Sequence, residues 1–174
     1  MKRYIITGAP STGKTTLINS LQENGHTVFE EVSRRIIISE QQKNSNKTPW
    51  EDVSGFTKLV HQQTIKELHT PIHQHAFVDR GLADNIAYLQ LKKQPVSDEF
   101  LDFDYQKFYH KTVFFCPLWK EIYTQDEQRL QSFEEAKQLQ NLLLNTYNDL
   151  GFTILEIPKT TVSERLHFIN TSLK

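Results

Sequence analysis

Gly8-Ala9-Pro10-Ser11-Thr12-Gly13-Lys14-Thr15, with Thr16 behind it, follows the short apolar run Tyr4-Ile5-Ile6. The spacing is G-x-x-x-x-G-K-[ST], that of a loop that cradles phosphate groups. Gly8 and Gly13 carry no Cβ, so the backbone there can turn tightly and come close to an anion. The successive N–H groups of the loop, and those opening the next helix, would then point at the anion. Lys14 is expected to reach the β- and γ-phosphates of ATP or GTP, and the Thr15 hydroxyl to ligate Mg²⁺.

Outward from this loop the pattern is regular. Leu17, Ile18 and Leu21 recur at helical spacing before Asn24-Gly25. Further strands are expected at Thr27–Glu30, Ala76–Asp79, Thr112–Cys116 and Thr153–Ile157, besides Arg3–Thr7. Helices are expected over 14–24, 32–43, 50–69, 81–92, 97–107, 132–149 and 161–172. Such alternation implies an α/β fold, a parallel sheet with helices on both faces. Two capping boxes, Ser132-x-x-Glu135 and Thr161-x-x-Glu164, mark helix starts. From the first of them Phe133, Ala136, Leu139, Leu143, Tyr147 and Leu150 fall on one helical face. Lys43–Thr48 is polar and reads as an exposed, mobile loop.

Bulk properties narrow the function class. A chain of 174 residues suits one domain, 1–174, with a real core. The formal net charge of −1 gives no positive field to attract nucleic acid or a membrane surface. The lone Cys116 excludes an internal disulfide framework and points to a reducing cytoplasm. The first strand begins almost at once, leaving no room for a signal peptide, and no apolar run approaches the roughly 20 residues that span a bilayer.

In a parallel α/β sheet the functional residues lie just after each strand. After the third strand come Asp79 and Arg80. An acid closing an apolar strand suits the carboxylate that orients Mg²⁺ through its water shell; the plainer role for Asp79 is a helix N-cap. After the second come Glu30, Glu31 and Arg34. Glu31 is placed to take a proton from an attacking hydroxyl or to hold substrate hydroxyls, and Arg34 to bind a substrate anion; as plain helix-start charges they would only complement the macrodipole. Strand alternation sends Glu30 and Glu31 to opposite faces, so they should not serve one site. After the fourth strand the segment of about 117–131 is expected to act as a lid, with Arg129 on the transferring phosphoryl group and Lys120 less so. After the fifth, Pro158 and Lys159 stand where adenine would pack. His73-x-His75 reads as a strand-entry pair rather than a metal site, Cys116 as a small core hydrophobe, and Trp50 and Trp119 as packing residues.

Taken together, "YIITGAPSTGKTTLINSL", "EEVSRRII", "TPWED", "FVDRGLADNIAYL" and "FFCPLWKEIYTQDEQRLQSFEEA" resemble a family of small AAA-type ATPases over nearly the whole chain. That domain is similar to the ribosylnicotinamide kinase portion of a bacterial NAD regulator and to a fly protein of receptor trafficking. More distantly it is similar to nucleoside and nucleoside-monophosphate kinases. The resemblance implies a P-loop NTPase fold, a five-stranded parallel sheet of order 2-3-1-4-5, and ATP or GTP with Mg²⁺. It implies Glu31 and Arg34 on the substrate side, Asp79-Arg80 on the metal side, and Arg129 as the lid arginine. Nucleotide kinases carry several lid arginines, whereas only Arg129 stands between Trp119 and Ser132. Two functions are compatible with these residues. One is a phosphotransferase that moves the γ-phosphoryl group of ATP to a hydroxyl or phosphate of a small acceptor, nucleoside or ribosylnicotinamide-like, held near Glu31, Arg34 and Arg80. The other is a nucleotide-dependent switch with slow hydrolysis and a protein partner.

Overall fold

The computed structural model describes residues 1–123 and 132–173. Strand β1 (Arg3–Thr7) is buried along its whole length and forms the centre of a sheet. It pairs in parallel with β3 (Ala76–Asp79) on one side and β4 (Tyr109–Phe115) on the other. β2 (Thr27–Phe29) and β5 (Thr153–Glu156) are the edges, giving the order β2-β3-β1-β4-β5, all parallel, as expected.

Because the sheet is covered on both faces, its central strands are apolar at successive positions and their side chains alternate between two cores. Ile5, Val78, Val113 and Phe115 face one core with Leu82, Ile86, Leu139, Leu143 and Tyr147. These come from α4 (Asp84–Leu91), the turn before it, and α7 (Phe133–Asp149). Tyr4, Ile6, Phe77 and Phe114 face the other core with Leu17, Ile18, Leu21 and Ile169. These belong to α1 (Lys14–Glu23) and α8 (Val162–Ser172). α2 (Val32–Gln42) and α3 (Val53–Leu68) lie against each other, and α3 also packs against α4, adding Leu68 to the first core.

Both expected capping boxes are formed, at Ser132 and Thr161. Asp52 caps α3 by accepting from the Gly55 N–H at 2.9 Å, so that helix starts later than its apolar pattern implied. The expected helix over 97–107 is instead two single turns, α5 (Asp98–Leu101) and α6 (Tyr105–Phe108). Asp104 accepts from the Lys107 N–H at 3.2 Å and starts a new turn, a local competition that outweighs helical periodicity. Lys43–Thr48 forms a bonded turn, with Asn44 at φ 51 and the Ser45 N–H on Glu40 O at 2.9 Å; Thr48 is buried. Among the described residues no helix is long and apolar enough to cross a membrane.

Candidate active site

The loop between β1 and α1 wraps around the end of the central strand. Gly8 has φ 145, and a Cβ there would meet the Cys116 carbonyl oxygen at 2.2 Å, so only glycine fits. Gly13 has φ 76, directly before α1. Lys14 is 6% exposed, and its Nζ donates to Gly8 O at 2.8 Å, Ala9 O at 2.6 Å and Thr12 Oγ1 at 3.2 Å. Burial, and after it the charge of Arg80, pulls its pKa down to about 8. Pro10, Ser11, Thr12, Gly13, Thr15 and Thr16 line a cavity of about 610 Å³ together with Lys14. Gly8 and Ala9 lie beneath them.

The end of β3 brings two charges to the same cavity. Asp79 is 6% exposed, and its Oδ1 has no hydrogen-bond partner among the described residues. Burial first, and the neighbouring Glu31 second, raise its pKa to about 6. Arg80 follows at φ 68, a left-handed conformation uncommon for a bulky residue. Its surroundings hold it there. The N–H donates to Ile6 O at 2.9 Å, Nε donates to Glu31 Oε1 at 2.8 Å, and Nη1 lies 3.4 Å from both Gly8 O and Asp84 Oδ2. The guanidinium also sits 5.6 Å from the Tyr88 ring centroid.

Glu31 is half-buried at the start of α2. Burial would raise its pKa, but the charges of Arg80 and Lys14 and the Arg80 hydrogen bond outweigh that and hold it below the usual carboxylate value. Glu30 is exposed, yet it lines the same cavity as Glu31, contrary to the expectation that strand alternation would keep the two acids apart. The strand ends at Phe29, so the alternation does not extend to them. Arg34, half-buried, lines the same cavity as Glu31. The rest of the lining is largely apolar, with Ile37, Trp50, Phe56, Val60, Tyr88 and Leu91, but it also carries Arg3, Thr64, Glu67, Asn85 and Lys92.

Two side chains not singled out from sequence organise this region. Asp84 is buried, accepting from Thr7 Oγ1 at 2.7 Å, Tyr147 OH at 2.5 Å and the Gly81 N–H at 3.2 Å while it faces Arg80. Its position four residues after Arg80, on the first turn of a helix, is the signal that could have found it. Arg165 of α8 reaches the loop from the opposite side, and only its place on the apolar side of α8, four residues before Ile169, could have hinted at it.

Several expected positions lie elsewhere. Pro158 and Lys159 are exposed and do not line the cavity, whereas Thr160, Thr161 and Val162 do. Lys120 is exposed on a 3-10 turn and is not part of the lining. Arg129, the expected lid arginine, lies outside the described residues. Trp50 is 41% exposed at the cavity and Trp119 half-buried there, so neither sits in the core where a packing residue would. His75 Nδ1 contacts Lys2 O at 3.1 Å at the far end of the sheet, and no group of three or more metal-ligating side chains occurs among the described residues. Cys116 is fully buried in the core, where burial raises its thiol pKa.

A family model described as an AAA domain matches residues 3–165. No curated protein matches the sequence significantly. Among solved structures, the deoxyadenosine kinase of M. mycoides with bound dATP superposes with a TM-score of 0.71 at 15% identity, covering 98% of each chain. Thymidylate kinase from Candida albicans gives 0.66 at 14% identity, covering 98% of this chain and 89% of that one. Shikimate kinase from Acinetobacter baumannii in complex with shikimate gives 0.60 at 18% identity, covering 100% and 96%. At these identities the likeness is one of fold.

Proposed function

The chain belongs to this AAA-domain family, and on that premise we propose that it transfers the γ-phosphoryl group of ATP to a hydroxyl of a small acceptor, a nucleoside or ribosylnicotinamide-like molecule. The observation that carries this reading is the Glu31–Arg80 pair, which faces the phosphate loop across one cavity. The similar folds of deoxyadenosine, thymidylate and shikimate kinases support it.

In this reading the loop Gly8–Thr16 and Lys14 hold the phosphates. Lys14 leaves the carbonyls of Gly8 and Ala9 to do so, and the phosphates replace those partners. Thr15 and Asp79 would hold Mg²⁺. The unpartnered, buried Oδ1 of Asp79 suits a hard cation that shares its remaining positions with phosphate and water. When bound, that ion would supply positive charge that offsets the charge of the phosphates. Glu31, ionised at neutral pH, accepts the proton of the acceptor hydroxyl as its oxygen bonds to the γ-phosphorus. The bond from that phosphorus to the bridging oxygen breaks, and ADP leaves with the electron pair. Arg80 orients Glu31, and Asp84 orients Arg80.

The acceptor side favours an uncharged hydroxyl over a phosphate. Arg80 is already neutralised by Glu31 and Asp84, and the rest of the lining is largely apolar. A largely apolar lining with a few polar groups fits a planar ring carrying a hydroxylated sugar. The free, buried Cys116 is consistent with a cytoplasmic location.

The test is ADP release from ATP·Mg²⁺ with a panel of nucleosides and ribosylated vitamins. Turnover that depends strongly on one acceptor, with a phosphorylated product, supports the proposal. Slow hydrolysis unaffected by any of them would instead favour the switch.

A further inference from the structure

Arg165 is 3% exposed, yet among the described residues it makes no salt bridge. Its Nη2 donates to the Thr12 carbonyl at 3.2 Å and lies 3.0 Å from Cys116 Sγ. Its Nε is buried with no hydrogen-bond partner among the described residues. A Cβ placed on Gly13 would come within 2.7 Å of its Nη1. The guanidinium therefore lies against the turn that opens α1, and Arg165 also lines the cavity, as do Thr161 and Val162.

Among the described residues this cation, removed from water, has only a carbonyl and a thiol as hydrogen-bond partners, which is unfavourable unless an anion compensates it. Here the loop it touches is the one built to receive phosphate. We propose that Arg165 is a positioning residue of the nucleotide site, its charge compensated by the nucleotide's phosphates. By holding the Thr12 carbonyl away from the cavity, it keeps the N–H groups of Gly13 and Lys14 aimed inward. The arrangement also gives Gly13 a second reason to lack a side chain, besides its φ of 76°. The positive field of the site thus comes from both sides, from Lys14 within the loop and from Arg165 behind it. This inference rests on nucleotide binding, not on the identity of the acceptor.

The experiment measures binding of ATP, ADP and adenosine, without acceptor, to the wild-type chain, Arg165→Gln and Arg165→Lys, with the melting temperature of each unliganded protein. Losing a charge-assisted arrangement should weaken ATP about ten- to a hundredfold in Arg165→Gln. ADP should weaken less, and adenosine little. Arg165→Lys, which keeps the charge but not the fork, should fall between. A purely structural role would lower the melting temperature and leave the ratio of ATP to adenosine affinity unchanged, which would overturn the proposal. If Arg165→Gln does not fold, wild-type ATP affinity in Arg165→Lys overturns it, and a phosphate-dependent loss there supports it. Failure of both variants to fold makes Arg165 a stability residue and also overturns it. A wild-type chain that binds no ATP would instead refute the nucleotide reading itself.

Discussion

The wall of the cavity made by β1, β3 and the phosphate loop is tied into the sheet at every step. Lys14, Asp79 and Asp84 are buried, and Thr7, Arg80, Tyr147 and Gly81 all converge on Asp84. The opposite wall, from α2 and α3, is looser. β2 is only half-buried, α2 buries Glu40 alone among its residues, and Trp50, at the cavity, is exposed. On the proposed function the two walls face different chemical tasks. Phosphates demand fixed dipoles and charges at set distances, which a buried, hydrogen-bonded network provides without reorganisation. An acceptor is recognised by shape and a few polar groups, which an edge of the fold can supply without disturbing the core.

If that division holds, substitutions on the two walls should separate cleanly. The largest effect is expected for Glu31→Gln, which keeps shape but loses basicity: turnover should fall about 10²–10⁴-fold. ATP affinity should stay nearly intact, and Glu30→Gln should do little. A rise in the Michaelis constant for the acceptor, with turnover preserved, would make Glu31 a binding group only. Equal, minor effects from both would remove Glu31 from catalysis.

Next in size is Lys14→Ala. ATP at about 100 times its dissociation constant stabilises a binding protein by about 2.7 kcal/mol, or roughly 5–10 °C in a chain of this length. The variant should lose most of that shift. The unliganded protein should not lose stability, because burial of this cation already opposes its charged form.

Asp79 gives a pH signature. Its folded pKa is raised from 3.8 to about 6, in the company of Glu31, Lys14, Arg80 and Asp84. The folded state therefore binds the extra proton between those values, and stability from this group falls as pH rises through that window, by ~3 kcal/mol at most. Glu31, shifted down, acts oppositely: its contribution is present above its unfolded pKa and is lost as pH falls. Asp79→Asn should abolish the first effect in unliganded melting curves. It should also flatten the rise of Mg²⁺-dependent ATP affinity as pH increases through about 6. A variant that only lowers stability, with Mg²⁺ dependence unchanged, would leave Asp79 without a metal role.

The smallest expected change is on the loose wall. Trp50→Ala should alter unliganded stability by no more than about 0.5 kcal/mol and leave ATP affinity alone. The Michaelis constant for the acceptor should rise. A loss of ATP affinity equal to the loss of acceptor affinity would break the distinction between the walls.

Contiguous features were legible in the chain. The loop announces itself because all of its backbone and side-chain requirements fall within nine residues. The strands were recognisable as apolar runs, and the two capping boxes as four-residue patterns. Glu31, Arg34 and Asp79 could be named because parallel sheets place strand-following residues at one edge. The break at Asp104 was not legible, since periodicity gives no weight to one side chain that bonds its own backbone.

By itself, then, the amino-acid sequence determined the alternating strands and helices, the phosphate loop and the acids that follow β2 and β3. These rest on interactions between near neighbours along the chain. Only the tertiary structure decided how those residues are paired. Arg80 meets Glu31 across 49 positions, Tyr147 meets Asp84 across 63, and Arg165 meets Thr12 across 153. Such pairs depend on strand order and on which helix covers which face. Those are set by burial of apolar surface over the whole chain, and no local spacing encodes them.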